Sequence, residues 1–432
     1  MSALRRRLKS LAENQPDSWS QTGRDARPNI HGMIRYPAMM VPSMQGDILD
    51  ILLSEVGGSS GVTDPFVGSG TTMTESLLRG IDFTGVDINP LAVLVCEAKV
   101  AIDEGVDLEA AIEVVVQNLL LDVNEAIDVD FPGLDKWFPE ESAIYLSKVR
   151  RSVMAVNDTA ARKVLWVVFA DTIRVCSNSR TSTYKLHIRA EGEGVDVSKI
   201  AMIFRANLKE VLERARSYQR TIKERPRTPK ARIICDDIRS ARIARSRTRH
   251  DIFITSPPYG DNQTTIPYGQ FSYLALKWIP ESDLPRGWYP ALVRNSHSLD
   301  SASLGGSIQC SHDTAEVLAA SPTLAKFLRT AKKLGKEVQV KKVSAFMRDY
   351  FDAISKLKPV SQGGTHWVFT TGNRRAAGLG VPFDLINEDF VRHFGGRKLI
   401  SIQRRLPNKR MPSRNSMGEM ITTETTLIAE FV

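Results

Sequence analysis

A chain of 432 residues, 42% hydrophobic and 25% charged, has the composition of a soluble globular protein and room for one large domain or two ordinary ones. No apolar run approaches the length that spans a bilayer, and the opening Met-Ser-Ala-Leu-Arg-Arg-Arg has no apolar stretch behind its charges, so neither a membrane span nor a secretory leader is expected. The four cysteines (Cys96, Cys176, Cys235, Cys310) are scattered with no C-x-x-C pair, which argues against a structural zinc site or a disulfide framework and for a reducing, cytoplasmic setting without a bound metal.

The net charge of +9 is unevenly spread. Residues 103–141 hold twelve acidic residues against one lysine, and residues 205–249 hold fifteen Lys or Arg against five Asp or Glu. A second basic run, Arg404, Arg405, Lys409, Arg410 and Arg414, lies near the C-terminus. Such concentration suggests a footprint for a phosphate backbone, with solvated basic helix faces as the alternative.

In chain order, residues 1–27 are polar and charged and are expected to form a loosely held arm. Residues 47–53 carry a helical apolar pattern. Residues 61–67 read as a buried strand running into a glycine loop, 71–78 as the helix that follows, and 81–86 as a second strand ended by Asp87. Strand, glycine loop, helix, strand is the first unit of a doubly wound α/β sheet. From Leu91 to about Lys223 the signal becomes long and helical, which predicts a large helical insertion over 101–229. The α/β rhythm then resumes with strands at 231–235 and 251–255, a helix over 344–357, a strand at 365–371, and a terminal hairpin from 399–405 and 425–432. Residues 281–340 carry Ser, Gly and Lys and look like an excursion from the sheet.

Two constellations carry chemistry. In Asp64-Pro-Phe-Val-Gly-Ser-Gly-Thr71, Gly68 and Gly70 let the backbone turn tightly, so that a ligand can approach main-chain N–H groups at a helix N-terminus. Asp87 ends the next strand at the distance where an acidic side chain binds both hydroxyls of a ribose. No Gly-Lys-Ser/Thr follows, so the ligand is expected to have a ribose but no phosphate. The second constellation is Thr255-Ser-Pro-Pro-Tyr259 at the end of a buried strand. Pro257 and Pro258 fix φ and hold neighbouring carbonyls rigid. Ser256 Oγ and one such carbonyl can accept both hydrogens of an amino group, while Tyr259 offers a face for an unpaired base. An amino nitrogen conjugated to a heteroaromatic ring is a poor nucleophile. Two acceptors bias it toward a tetrahedral form whose lone pair faces an electrophile, without a covalent enzyme intermediate.

With these residues the chain resembles the DNA amino-methyltransferases that modify N4 of cytosine or N6 of adenine. Asp64 to Thr71 is similar to their cofactor motif and Thr255 to Tyr259 to their catalytic motif. His31 to Ala38 is similar to the segment that precedes the cofactor loop, and Trp367 to Arg374 to a late strand and loop. The resemblance covers residues 28–100 and 230–432, the expected catalytic domain, and leaves 101–229 unmatched. It implies a seven-stranded, mostly parallel Rossmann-like sheet and S-adenosylmethionine as cofactor. By position, Asp64, Gly68 and Gly70, with Thr71 closing the motif, would hold the methionine part. Asp87 would take the ribose, Phe66 would pack near the adenine, and Asp236 or Asp237 would lie near the adenine edge, either also being an ordinary strand-end cap. Tyr36 and Pro37 would help close the pocket, with a core aromatic as the alternative for Tyr36. A serine ahead of Pro-Pro-Tyr favours N4 of cytosine over N6 of adenine.

The implied partner is double-stranded DNA, in restriction-modification or another defence setting with a possible cognate nuclease; oligomeric state is left open. Recognition is expected from 101–229 and 281–340, with Arg180 and Lys185 in the polar run 177–185, and Arg404, Lys409, Arg410 and Asn415 near the C-terminus, gripping DNA. Surface charge and a polar helix-connecting loop are the alternatives for these cations. The competing functions are an RNA or tRNA amino-methyltransferase and an inactive nucleic-acid-binding protein on the same fold.

Overall fold

The computed structural model describes residues 3–14, 27–56, 60–190, 194–243, 249–261, 265–306, 314–372, 374–376, 379–406 and 423–432. Helices α1 (Ala3–Asn14) and α2 (Pro42–Val56) precede β1 (Ser60–Asp64), α3 (Thr71–Leu78) and β2 (Asp82–Asp87). Six helices follow: α4 (Pro90–Asp103), α5 (Leu108–Leu121), α6 (Leu134–Trp137), α7 (Glu140–Met154), α8 (Thr159–Cys176) and α9 (Val197–Ile222). Then come β3 (Ala231–Cys235), β4 (Arg249–Thr255), α10 (Tyr268–Trp278), α11 (Ser298–Ala302), α12 (Ala315–Ala320), α13 (Pro322–Lys333) and α14 (Glu337–Ser355). The chain closes with β5 (His366–Gly372), the short ribbon β6 (Arg375–Ala376) and β7 (Leu379–Gly380), α15 (Phe383–His393), β8 (Gly396–Arg405) and β9 (Thr423–Phe431).

Seven strands form one sheet in the order β3-β2-β1-β4-β5-β9-β8. The first five pair in parallel, whereas β9 is antiparallel to both β5 and β8. This is the doubly wound, mostly parallel Rossmann-like sheet the sequence led us to expect. All seven residues of β5 are buried, as a parallel strand covered on both faces requires. The strand order reverses between β1 and β4, and at such a switch the loops leaving the carboxyl ends of neighbouring strands diverge and open a crevice. The glycine loop leaves β1 and the Ser-Pro-Pro-Tyr turn leaves β4, so topology alone brings the two motifs together.

Three expectations need correction. The arm expected over 1–27 contains α1, an amphipathic helix whose Leu4 and Leu8 are buried in a core shared with α2 and β8, and whose Arg7 pairs with Glu55 at 3.1 Å. The leucines at positions 4, 8 and 11 fall on one helical face, a signal hidden by the surrounding charge. The helix expected over 344–357 begins earlier, at Glu337.

The third correction concerns charge. Arg225 of the basic run pairs with Asp103 at 2.5 Å, both side chains nearly solvent-free, and Tyr218 donates to the same carboxylate at 2.7 Å. Arg216 pairs with Glu109, Arg227 with Asp82, and Arg239 with Asp237. Part of the acidic run and part of the basic run therefore neutralise each other where α9 packs along α4 and α5. These arginines make ion pairs within the fold, so part of the basic run is already partnered. The helices between β2 and β3 share one hydrophobic core with Tyr36 and with α10, centred on the largely buried α8. They form a wall beside the crevice.

Candidate active site

The crevice is a cleft lined by the segments that leave the carboxyl ends of β1, β2, β3 and β4. Its lining brings together Tyr36, Pro37, Phe66, Gly68, Thr71, Asp87, Asp236 and Asp237 from the cofactor set, with Ser256 and Pro258 from the second motif. Asp64, Gly70, Pro257 and Tyr259 are not on that lining.

The glycine loop explains itself residue by residue. Gly68 has φ +51° and Gly70 φ +77°, the left-handed region that glycine enters without strain. A Cβ on Gly70 would also lie 2.9 Å from Cys96 Sγ. At Gly68 the nearest atom to a Cβ is Tyr36 Cε1 at 3.7 Å, so any side chain there would protrude into the cleft. Asp87 organises the loop by accepting from the Gly68 N–H at 2.9 Å and the Asn89 N–H at 2.8 Å. Each carboxylate oxygen retains a further lone pair, which is what two ribose hydroxyls need. Burial raises Asp87 from its ordinary 3.8 to about 6. Asp64, fully buried behind the lining, accepts from Phe66 N–H at 3.0 Å and from Thr255 Oγ1 at 2.5 Å. That second bond ties the glycine loop to the residue before Ser256. Burial also raises Asp64, to about 7, and among the described residues its Oδ2 has no hydrogen-bond partner. A ribose-bearing cation fits this donor set: Asp87 can accept its hydroxyls, and its positive charge would offset the cost of two desolvated carboxylates.

A consequence follows for pH. Both folded carboxyls sit above their ordinary values, so their contribution favours the fold at low pH and is lost as pH rises from about 4 toward 7. A ligand whose hydroxyls donate to Asp87 favours the ionised form. Cofactor binding is therefore expected to release protons near pH 6, seen as a calorimetric binding enthalpy that varies with the ionisation enthalpy of the buffer. A buffer-independent enthalpy at that pH would contradict the assignment.

Of the strand-end pair, both carboxylate oxygens of Asp237 are engaged by Arg239, which also pairs with Asp349. Asp236 accepts at Oδ1 from the Asp237 N–H and from Ser240. Asp236 is thus better placed to meet a ligand edge. The Tyr36 ring stacks on Tyr268 at 5.8 Å and meets Phe271 edge-on, and its hydroxyl accepts from Asn89 Nδ2 at 3.1 Å. It is both a core aromatic and a cleft wall.

In the second motif Ser256 faces the cleft and Pro257 is buried. The half-buried Tyr259 places its hydroxyl 3.3 Å from Ser256 Oγ and donates to Glu424 Oε1 at 3.2 Å. Burial and the Glu424 charge hold the phenol well above its ordinary pKa.

The DNA-contact expectations divide. Arg404 is not a surface cation: the β8–β9 register sets it opposite Glu424, and its guanidinium, 8% exposed, pairs with that carboxylate. A desolvated guanidinium needs such a partner. Lys409, Arg410 and Asn415 lie outside the described residues. Arg180 is exposed and Lys185 half-buried on a ribbon closed by the Arg180 N–H to His187 and Arg189 N–H to Asn178 bonds, both 2.8 Å. Tyr184 docks this ribbon edge-on against Phe271, one ring from Tyr36. Lys326, Arg329, Lys332 and Lys333 on α13 and Lys336 just before α14 are exposed within the segment 281–340, and Lys341 on α14 is exposed just beyond it.

Sequence reasoning missed four residues. Asn89 caps α4 ahead of Pro90 and bonds Tyr36; the Asp-Ile-Asn-Pro string was a legible cap signal. Lys99, buried in a largely apolar helix, donates to the Ser69 carbonyl at 2.7 Å beneath the loop, and burial lowers it to about 8. A lone lysine in such a helix could have flagged it. Tyr268 and Glu424 arrive from remote segments and leave no local signal.

No protein-family model matches the chain. It is 27% identical over 420 residues to the type II methyltransferase M.MvaI of Kocuria varians, covering 92% of this chain and 88% of that one. A short segment of 73 residues is 37% identical to the type II methyltransferase M.BsoBI of Geobacillus stearothermophilus, covering 16% and 14% of the two chains. Another of 71 residues is 31% identical to the type II methyltransferase M.MjaII of Methanocaldococcus jannaschii, covering 16% and 13%. Similarity to a type II methyltransferase thus runs along nearly the whole chain. Among the described residues no cluster of His, Cys, Asp and Glu is built to hold a metal ion, and no helix is long and apolar enough to cross a membrane.

Proposed function

From its similarity to type II methyltransferases, we propose that this chain transfers a methyl group from S-adenosylmethionine to the exocyclic amino group of a base flipped out of double-stranded DNA, with N4 of cytosine as the target. The observation that carries the reading is the Asp64–Thr255 hydrogen bond, which joins the cofactor loop to the catalytic turn so that Asp87 and Ser256 line one cleft. Bound there, S-adenosylmethionine supplies a methyl group on a positively charged sulfur, an electrophile that needs no metal.

The chain's residues do the rest. Asp87 and the Gly68 loop hold the ribose and the methionine part, Phe66 and Ile238 give apolar walls, and Asp236 meets the adenine edge. Ser256 Oγ and a carbonyl of the proline-locked turn accept the two amino hydrogens, and the Tyr259 ring backs the base. The Arg180–Lys185 ribbon beside α10 and the exposed lysines of α13 and α14 suit the phosphate backbone. A restriction-modification role accords with the type II relatives.

Tritiated-methyl transfer to duplex DNA, tRNA and bulk protein in parallel tests the substrate class. Label is expected in DNA, and label confined to tRNA would overturn the reading.

A further inference from the structure

We infer that Glu424, acting through Tyr259, fixes the hydrogen-bond polarity of Ser256 so that its hydroxyl oxygen presents lone pairs, never its hydrogen, to the target base. The inference rests on the amino-group reading above and names the device that makes the site selective for an amino group.

Tyr259 has one hydroxyl hydrogen and stands between two oxygens, Glu424 Oε1 at 3.2 Å and Ser256 Oγ at 3.3 Å. An ionised carboxylate only accepts, so that hydrogen belongs to Glu424. What Tyr259 then offers Ser256 is a lone pair, and the Ser256 hydroxyl hydrogen turns to meet it. The remaining lone pairs of Ser256 Oγ stay directed toward the cleft that Ser256 lines. Cytosine N4 and adenine N6 present hydrogens at the reacting edge, whereas thymine O4 and guanine O6 present lone pairs. The first kind is accepted; the second meets acceptor against acceptor in a desolvated site.

The β8–β9 pairing holds Glu424 for this purpose. Its Oε2 is engaged by the cross-strand Arg404, leaving Oε1 for Tyr259. With side chains 8% and 11% exposed, the pair is shielded from water that would offer alternative partners. Glu424 does not line the cleft and is a positioning residue. Both hydrogen bonds are long for O–H···O contacts, as catalytic bonds often are before substrate binds.

The test is a double-mutant cycle of Glu424→Gln and Tyr259→Phe, read by single-turnover methyl transfer to DNA and by cofactor binding. Arg404 has only donors, so in Glu424→Gln the amide oxygen must face Arg404 and the NH2 must face Tyr259. Tyr259 then donates to Ser256, and the serine hydrogen is turned toward the base. Glu424→Gln is expected to slow methyl transfer about 10- to 100-fold with unchanged cofactor affinity, the penalty of one misdirected buried hydrogen bond. In the Tyr259→Phe background the same substitution is expected to change nothing further, because the link is gone. Wild-type rate in Glu424→Gln, or the same loss in both backgrounds, would overturn the inference and leave the functional reading standing. A wild-type chain that transfers no methyl to DNA would overturn both.

Discussion

Asp87→Ala is expected to weaken S-adenosylmethionine binding by about 100-fold or more while the protein stays folded. The carboxylate does two jobs: its oxygens hold the Gly68 and Asn89 N–H groups, and their remaining lone pairs face the cleft. Removing it would forfeit the two charge-assisted hydrogen bonds proposed to the ribose, roughly 1.5–3 kcal/mol each, and loosen the loop that lines the cleft. The fold should survive because Asp87 is a cost to the ligand-free protein at neutral pH, its ionised form disfavoured by burial. Calorimetric titration gives the affinity and a thermal melt gives the stability. An affinity within a few-fold of wild type would remove Asp87 from the site, and an unfolded variant would assign it to the scaffold.

Ser256→Ala should do the reverse. Cofactor affinity is expected to hold, because Ser256 contributes nothing to the Asp87 end of the cleft. The rate of methyl transfer is expected to fall by about 10²- to 10³-fold, the usual effect of deleting one preorganised group that meets the reacting atoms. Ser256→Ala with Tyr259→Ala should abolish detectable transfer. Joint loss of cofactor binding in the double variant would mean that the turn holds the cofactor loop in place through Asp64 and Thr255, with chemistry located elsewhere.

What the sequence revealed and what it hid divide along a physical line. The glycine loop, Asp87 and the Ser-Pro-Pro-Tyr turn were legible because their chemistry is written in neighbouring residues: left-handed glycines, strand-end carboxylate, proline-fixed turn. The sheet was legible because strands buried on both faces alternate with amphipathic helices. Partners set by strand register or by helix packing were not. Arg404 read as a surface cation until β9 placed Glu424 across from it. The basic run 205–249 read as a nucleic-acid face, and only the packing of α9 on α4 and α5 showed its arginines meeting Asp103 and Glu109. Tyr268 likewise reaches the cleft from a helix whose own sequence describes only its packing. The charge that obscured α1 is the same effect at short range: composition averages over faces, and a helix buries one face.

The most direct measurement is nucleoside mass spectrometry of DNA from a host expressing the chain, with a host expressing Ser256→Ala as control. N4-methylcytosine present with the wild-type chain and absent from the control is the expected result. DNA carrying no new methylated base, from cells in which the chain is folded and binds S-adenosylmethionine, would contradict it.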